Sequence, residues 1–389
     1  MTIDNYKSHT FMPIIIKAYL FVIPILSLMN SLTVRYGKVI IITLLFSLII
    51  INYKSSSNNT FKLFFVLFVF GNMFFAIRND EPHFIFIQLG HINFYFIFIS
   101  NAISPKRKKE YFQYFIWGIM ASVFLGGTYM LATGIIVKGG TYTINNYNIS
   151  NLDLPVVLST VIIYIYYLKV EKRVVIYSYM YIILIILMLL ALMYLDKRLP
   201  IFTAFLGILY VKLRIKNKTI NTFILLVIFI YPVYSIFIYI YSQPIFELDL
   251  FVTIFKRNVD LVNYEYNPRI VRIIAASSML QNISLTNILY YPEEILTFVK
   301  PPHNHFHNLL LQLYYERGLI TVLSLFLLTL ISVNVTQSSN ESKVSLAFIM
   351  TCLLIGTNES FMPYSIIQFC FVNFVIINYG LSTSKDEYV

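Results

Sequence analysis

The chain has 389 residues, of which 58% are hydrophobic and 12% charged, and its formal net charge is +11. A soluble domain carries roughly 25% charged residues, so this composition excludes a globule folded by water alone and points to a polytopic membrane protein. No basic run with interleaved aromatics lies in a polar stretch, which excludes nucleic acid as a partner.

Taken in order, the chain begins with a short polar stretch and an apolar run at 12–33. No small-residue cleavage site follows that run, so it reads as a retained first span. About twelve segments are long and apolar enough to cross a bilayer: 12–33, 38–53, 61–77, 84–101, 112–133, 153–168, 174–195, 199–213, 219–242, 306–335, 344–357 and 364–381. The expected fold is therefore an all-α polytopic membrane protein of about 12 transmembrane helices. No internal repeat at a fixed period is visible.

Three basic clusters fix the expected orientation. Lys106 to Lys109, then Lys169, Lys172 and Arg173, then Lys212, Arg214, Lys216 and Lys218 all fall on one side of a twelve-span chain. The positive-inside rule makes that side cytoplasmic and puts both termini there. Two longer stretches then lie outside. Residues 134–152 are rich in Gly, Asn and Tyr and suit a polar partner such as a sugar. Residues 243–305 form a large periplasmic loop with helical content. Within it, 246–262 has the spacing of a surface-lying amphipathic helix. Asn267-Pro268 then reads as an N-cap with proline at the first helical position, opening a helix over 269–281.

The chemistry-bearing residues converge on the end of that loop. His303, His305 and His307 alternate behind Pro301-Pro302, and an apolar helix follows. A helix over 306–335 would be roughly 45 Å long at 1.5 Å per residue, against about 30 Å of hydrocarbon. Its first turns, with His307 and Asn308, are therefore expected at the water interface. Three readings are open here: a zinc site, if the segment is extended; an acid/base or sugar-binding site; or a polar helix entry.

Arg269 and Arg272 share a helix face near its positive end, an arrangement suited to a diphosphate; Arg257 lies on the preceding amphipathic stretch. A solvated or lipid-facing surface accounts for them equally well. Arg198, in the corner Asp196-Lys197-Arg198, is either a further phosphate contact or a snorkelling interfacial arginine. Glu316 and Arg317 read as a structural ion pair in the outer half of the tenth span, while Asn308, Gln312 and Tyr315 share a stripe. Asp80-Glu81 is at best a weak metal pair, and no metal site is expected. Cys352 and Cys370 read as small buried residues without a disulfide framework.

His307-Asn308-x-x-Leu311-x-x-x-x-Glu316-x-Gly318-Leu319, behind a long loop with a helix-borne arginine, resembles the O-antigen ligase/polymerase superfamily (the Wzy and WaaL proteins). Lys197-Arg198 and Asn267-Pro268-Arg269 match that family's arginine corner and loop arginine, although Lys197 replaces a usual Ser or Thr. The resemblance implies a GT-C-like integral membrane glycosyltransferase of the bacterial inner membrane. It implies His307 as catalytic base, and Arg198 with Arg257, Arg269 or Arg272 as ligands of donor diphosphate, with His303, His305 and Asn308 close by. It implies no cofactor. The implied partners are undecaprenyl-diphosphate-linked oligosaccharides as donor and acceptor, membrane lipids and a chain-length regulator. Polymerase is the preferred activity, because the Ile-, Tyr-, Phe- and Asn-rich composition looks like polymerases from AT-rich polysaccharide clusters. An O-antigen ligase, which transfers to lipid A-core, is the alternative within the family. A lipid-linked-glycan flippase is the alternative outside it.

Overall fold

The computed structural model describes residues 3–28, 59–78, 83–100, 103–132, 142–144, 147–149, 153–172, 178–183, 185–187, 199–213, 217, 219–228, 309–335, 340–356 and 366–383. Eleven helices make up nearly all of them: α1 (Ile3–Leu28), α2 (Asn59–Arg78), α3 (His83–Ile99), α4 (Pro105–Ala132), α5 (Asp153–Lys172), α6 (Ser178–Leu187), α7 (Leu199–Leu213), α8 (Thr219–Ile228), α9 (Leu309–Val335), α10 (Asn340–Gly356) and α11 (Ile366–Thr383). Eleven of the twelve expected segments thus hold a helix, and the segment 38–53 lies outside the described residues. The all-α expectation holds, with one short local pairing added. Within 134–152, strands β1 (Tyr142–Ile144) and β2 (Tyr147–Ile149) pair antiparallel, Tyr142 opposite Ile149 and Ile144 opposite Tyr147. Tyr, Thr and Ile favour strands, and two asparagines separate them in sequence.

Two stretches, Asn59–Ile77 in α2 and Arg317–Val335 in α9, are long and apolar enough to cross a membrane; seven shorter apolar helices accompany them among the described residues. The bundle distributes polarity the opposite way from a water-soluble one. Ile77 and Phe124 are each 73% exposed, and Phe205, Phe223, Tyr179 and Ile14 also face outward. Asn72, Gln88, His91, Asn93, Thr321, Ser332, Ser345, Thr351, Asn373 and Asn378 are buried instead. Helices that are apolar all round suit a lipid surround, where association rests on close packing and interhelical hydrogen bonds.

Helix α11 lies at the centre, packed against α3, α9 and α10 and touching α1, α4 and α5. Around it Phe94, Phe115, Phe348, Phe369 and Phe374 form a continuous aromatic core, with Phe94 edge-on to Phe115 at 4.9 Å and Phe348 4.7 Å from Phe374. Small residues allow the closest approaches. A Cβ at Gly118 would overlap the Phe21 carbonyl of α1, and one at Gly380 the Phe98 carbonyl of α3. Buried hydroxyls tie the central helices together: Ser332 Oγ donates to Val375 O at 2.9 Å, Ser345 Oγ to Phe374 O at 3.0 Å, and Asn378 Nδ2 to Ser332 O at 3.0 Å.

Helix directions follow from these contacts. Lys17 of α1 pairs with Glu110 of α4, and Lys109 with Glu341 of α10 at 3.8 Å, so these three helices start at one end. Phe61, at the start of α2, stacks on Tyr379 near the end of α11 at 3.9 Å. Ser159, early in α5, donates to Pro200 O at the start of α7. Thr222, early in α8, bonds Asn334, late in α9. Each contact sets the relative direction of the helices it joins. Lys17, Lys62, Lys106, Arg107, Lys108, Lys109, Lys169, Lys212 and Lys343 all lie toward the end where α1, α4 and α10 start; among the described cationic side chains only Arg317 lies toward the other.

Two sequence expectations are corrected here. Helix α4 begins at Pro105, not near 112, so Lys106–Lys109 ride on its first turns and not in a loop. Ser104-Pro105 gives the reason: the Arg107 amide donates to Ser104 Oγ at 3.4 Å, the Lys108 amide to Ser104 O at 3.0 Å, and proline suits the first helical position. Helix α9 is not one straight rod. At Gly318 the backbone takes φ 78° and ψ 172°, which divides it into an outer arm, 309–317, and an inner arm, 319–335.

Candidate functional site

Helix α9 starts at Leu309, the residue after His307-Asn308. Its outer arm therefore leads directly from the histidine segment to the one sequence-selected residue whose side chain is described, Arg317. His303, His305, His307, Asn308, Arg198, Arg257, Arg269 and Arg272 lie outside the described residues, as do Asp80 and Glu81 and the stretches 246–262 and 269–281. Glu316 belongs to α9, but its side chain lies outside the description, so the Glu316–Arg317 ion pair does as well.

Arg317 is 2% exposed. Its guanidinium donates to Asn72 Oδ1 of α2, and its guanidinium carbon sits 5.7 Å from the centre of the Phe75 ring. Asn72 is held by its own Nδ2, which donates to Phe68 O at 2.7 Å. One turn further along α9, Thr321 Oγ1 donates to Arg317 O at 2.9 Å and fills the space beside Gly71, where a Cβ would overlap it. Gly71, Asn72 and Phe75 on α2 thus meet Arg317 and Thr321 on α9 across one seam. An arginine at this depth costs about 2.5–3.5 kcal/mol at a helix centre unless it is solvated by protein; the amide oxygen and the aromatic face provide that solvation.

Beside this seam lies a polar cluster that sequence reasoning missed. His91 Nδ1 is 2.9 Å from Asn373 Oδ1. With Nδ1–H as the donor to this amide oxygen, Nε2 is left as the ring's unprotonated nitrogen. The imidazole stacks on Phe369 at 5.2 Å, with Phe68 edge-on at 6.1 Å, and the charge of Arg317 acts on it. Gln88 lies one turn earlier on α3, 1% exposed. Its Oε1 and Asn373 Nδ2 are buried polar atoms without hydrogen-bond partners among the described residues. Asn93 Nδ2 reaches Tyr19 OH at 3.2 Å on the far side of the helix. The available signal was an ionisable residue inside an apolar segment, which is a functional marker in membrane chains. His91 sits mid-way along the expected span 84–101, but it was hidden among the twelve Phe, Ile, Leu and Tyr residues of α3.

Chemically, the cluster offers one fixed cation, one neutral imidazole and three carboxamides in a low-dielectric interior. It has no nucleophile and no carboxylate among the described residues. No three His, Cys, Asp or Glu side chains converge to hold a metal among them either. Cys352 and Cys370 are buried, as their sequence context indicated. Arg317 and its neighbours tie α9 to α2 at this point. No protein-family model, curated protein or solved structure matches this chain.

Proposed function

We propose that the protein is an integral membrane glycosyltransferase that polymerises a surface polysaccharide such as O-antigen. It takes glycan from undecaprenyl diphosphate and transfers it to a hydroxyl of another lipid-linked repeat unit on the periplasmic face of the bacterial inner membrane. The observation that carries this reading is the polarity of the bundle's two ends. Every described lysine lies toward one end, which the positive-inside rule makes cytoplasmic. The buried Arg317 and the start of α9, directly after His307-Asn308, lie toward the other.

In this reading His307 takes the proton of the acceptor hydroxyl as its oxygen attacks the anomeric carbon. The anomeric C–O bond to the diphosphate breaks in the same step, and undecaprenyl diphosphate leaves. Arg198 and Arg269 or Arg272, with Arg257, match the growing charge on that leaving group. His303, His305 and Asn308 contact sugar. The chain uses about twelve spans, with both termini cytoplasmic, and works with a chain-length regulator.

The test is complementation of a knockout strain with wild type, His307→Ala and Arg269→Ala, each at equal expression, read as the lipopolysaccharide ladder on a gel. Wild type restores a ladder from a single-repeat band, and both variants lose it by tenfold or more. A ligase would instead restore attachment of ready-made polymer to the core. A flippase would restore surface glycan from none. Full ladders from both variants refute the histidine–arginine mechanism.

A further inference from the structure

The seam between α2 and α9 has a second property, which concerns where the histidine segment is held. Gly318 breaks the helical hydrogen-bond ladder with φ 78° and ψ 172°, so the inner arm of α9 does not by itself orient the outer arm. Arg317 is the last residue before the break. It is fixed sideways to α2 by Asn72 and by the Phe75 ring, while Asn72 is itself fixed to Phe68 O. Thr321, the first hydroxyl after the break, donates to the Arg317 carbonyl and packs against Gly71. The same short stretch of α2 thus grips α9 on both sides of its break.

We infer that Asn72, Phe75 and Arg317 form a latch that positions the outer arm of α9 across the Gly318 hinge, and with it the His307-Asn308 segment that the arm carries. They are positioning residues. The inference rests on the glycosyltransferase reading for its consequence in activity, and on the α2–α9 geometry alone for its consequence in structure. Without the latch, the outer arm has a glycine pivot below it and only its own contacts to hold it. The inner arm stays anchored by Ser332 and Asn378 on α11.

The experiment uses the full chain in detergent or nanodiscs with Cys352→Ala and Cys370→Ala, since both native thiols are buried. Spin labels at Val66→Cys and Leu310→Cys report the outer arm against α2. Labels at Val66→Cys and Leu323→Cys report the inner arm; Val66 and Leu323 are exposed sites. Distances are measured by double electron–electron resonance in wild type, Asn72→Leu, Asn72→Asp and Arg317→Met, and each variant is also run in the ladder assay. The expected result is a Val66–Leu310 distribution at least twofold broader in Asn72→Leu, an unchanged Val66–Leu323 distribution, and a ladder reduced about tenfold. Asn72→Asp, which keeps an oxygen facing the guanidinium, restores both. Asn72→Leu leaves the arginine in place and carries the test if Arg317→Met does not accumulate. An unchanged Val66–Leu310 distribution in Asn72→Leu overturns the latch. Broadening with an undiminished ladder overturns its positioning role, and leaves the transferase reading to stand or fall on His307→Ala.

Discussion

Gly318→Ala distinguishes two pictures of α9 by the sign of one free-energy change. In an uninterrupted helix over 306–335, as the sequence alone implies, alanine for glycine would stabilise by about 0.8–1.0 kcal/mol through helix propensity. At φ 78° and ψ 172° the backbone instead occupies a region open to glycine almost alone, where a side chain costs about 1–3 kcal/mol. That is roughly a 5- to 150-fold shift in the folding equilibrium, at 1.4 kcal/mol per tenfold. Asparagine sharpens the test. It tolerates the ordinary left-handed region near ψ +47°, but ψ 172° lies far outside it, so Gly318→Asn is also destabilised. The measurement is reversible unfolding of the purified chain in mixed micelles with a titrated denaturing detergent. Wild type is expected to be the most stable of the three. If Gly318→Ala is the more stable, α9 runs straight through this point, and both the break and the latch built on it are wrong.

Two further outcomes follow from buried polar groups. Lys108 lies ahead of the apolar stretch of α4, and burial pulls its ammonium down from 10.5 to about 8. Below about 8 it is charged in both folded and unfolded chains and its desolvation penalty is complete. Between about 8 and 10.5 the folded chain gives up the proton first, so wild-type stability rises with pH, by on the order of 3 kcal/mol at about 1.36 per pH unit. Lys108→Met removes that rise and is more stable than wild type at pH 7; parallel pH profiles for the two proteins would contradict this. In the His91–Asn373 pair, His91→Leu and Asn373→Leu each strand a buried polar atom, at about 1–3 kcal/mol. The double variant costs less than their sum by at least 0.5 kcal/mol, the coupling expected of groups in contact; strict additivity in unfolding experiments would mean the two do not interact.

The helices were legible because a bilayer demands long apolar runs, and such runs survive any bias in local composition. Their ends were less so. Lys106–Lys109 looked like a loop because charge reads as solvent, yet a helix leaving the membrane can carry its basic turns into water. Ser104-Pro105 was the signal for that start. The 142–149 hairpin read as loop because its strands are only three residues each. Gly318 gave no warning, since a glycine inside an apolar helical pattern is common and its torsion angles are not written in its neighbours. For the site, the sequence singled out the histidine segment and Arg317 but neither the α2 residues that hold Arg317 nor His91.

That last failure has a physical cause, and the cause supplies a better rule. In water, a helix tells inside from outside by the period of its apolar residues. In this bundle α2, α3 and α11 are apolar on every face, so the period carries no direction. The polar minority carries it instead. Asn72 in α2, Gln88, His91 and Asn93 in α3, Arg317 and Thr321 in α9, and Asn373 and Asn378 in α11 are among the polar residues set within apolar runs, and these eight are all buried. A carboxamide facing lipid has no hydrogen-bond partner, whereas one facing a neighbouring helix has several. Exceptions should therefore fall where a helix meets water, and Asn334, exposed one residue from the end of α9 and bonded to Thr222, is such a case. Read by that rule, Asn72 and His91 mark the faces of α2 and α3 that turn toward α9 and α11. The seam between α2 and α9 then becomes visible from the polar positions alone, with Arg317 as the charge they surround.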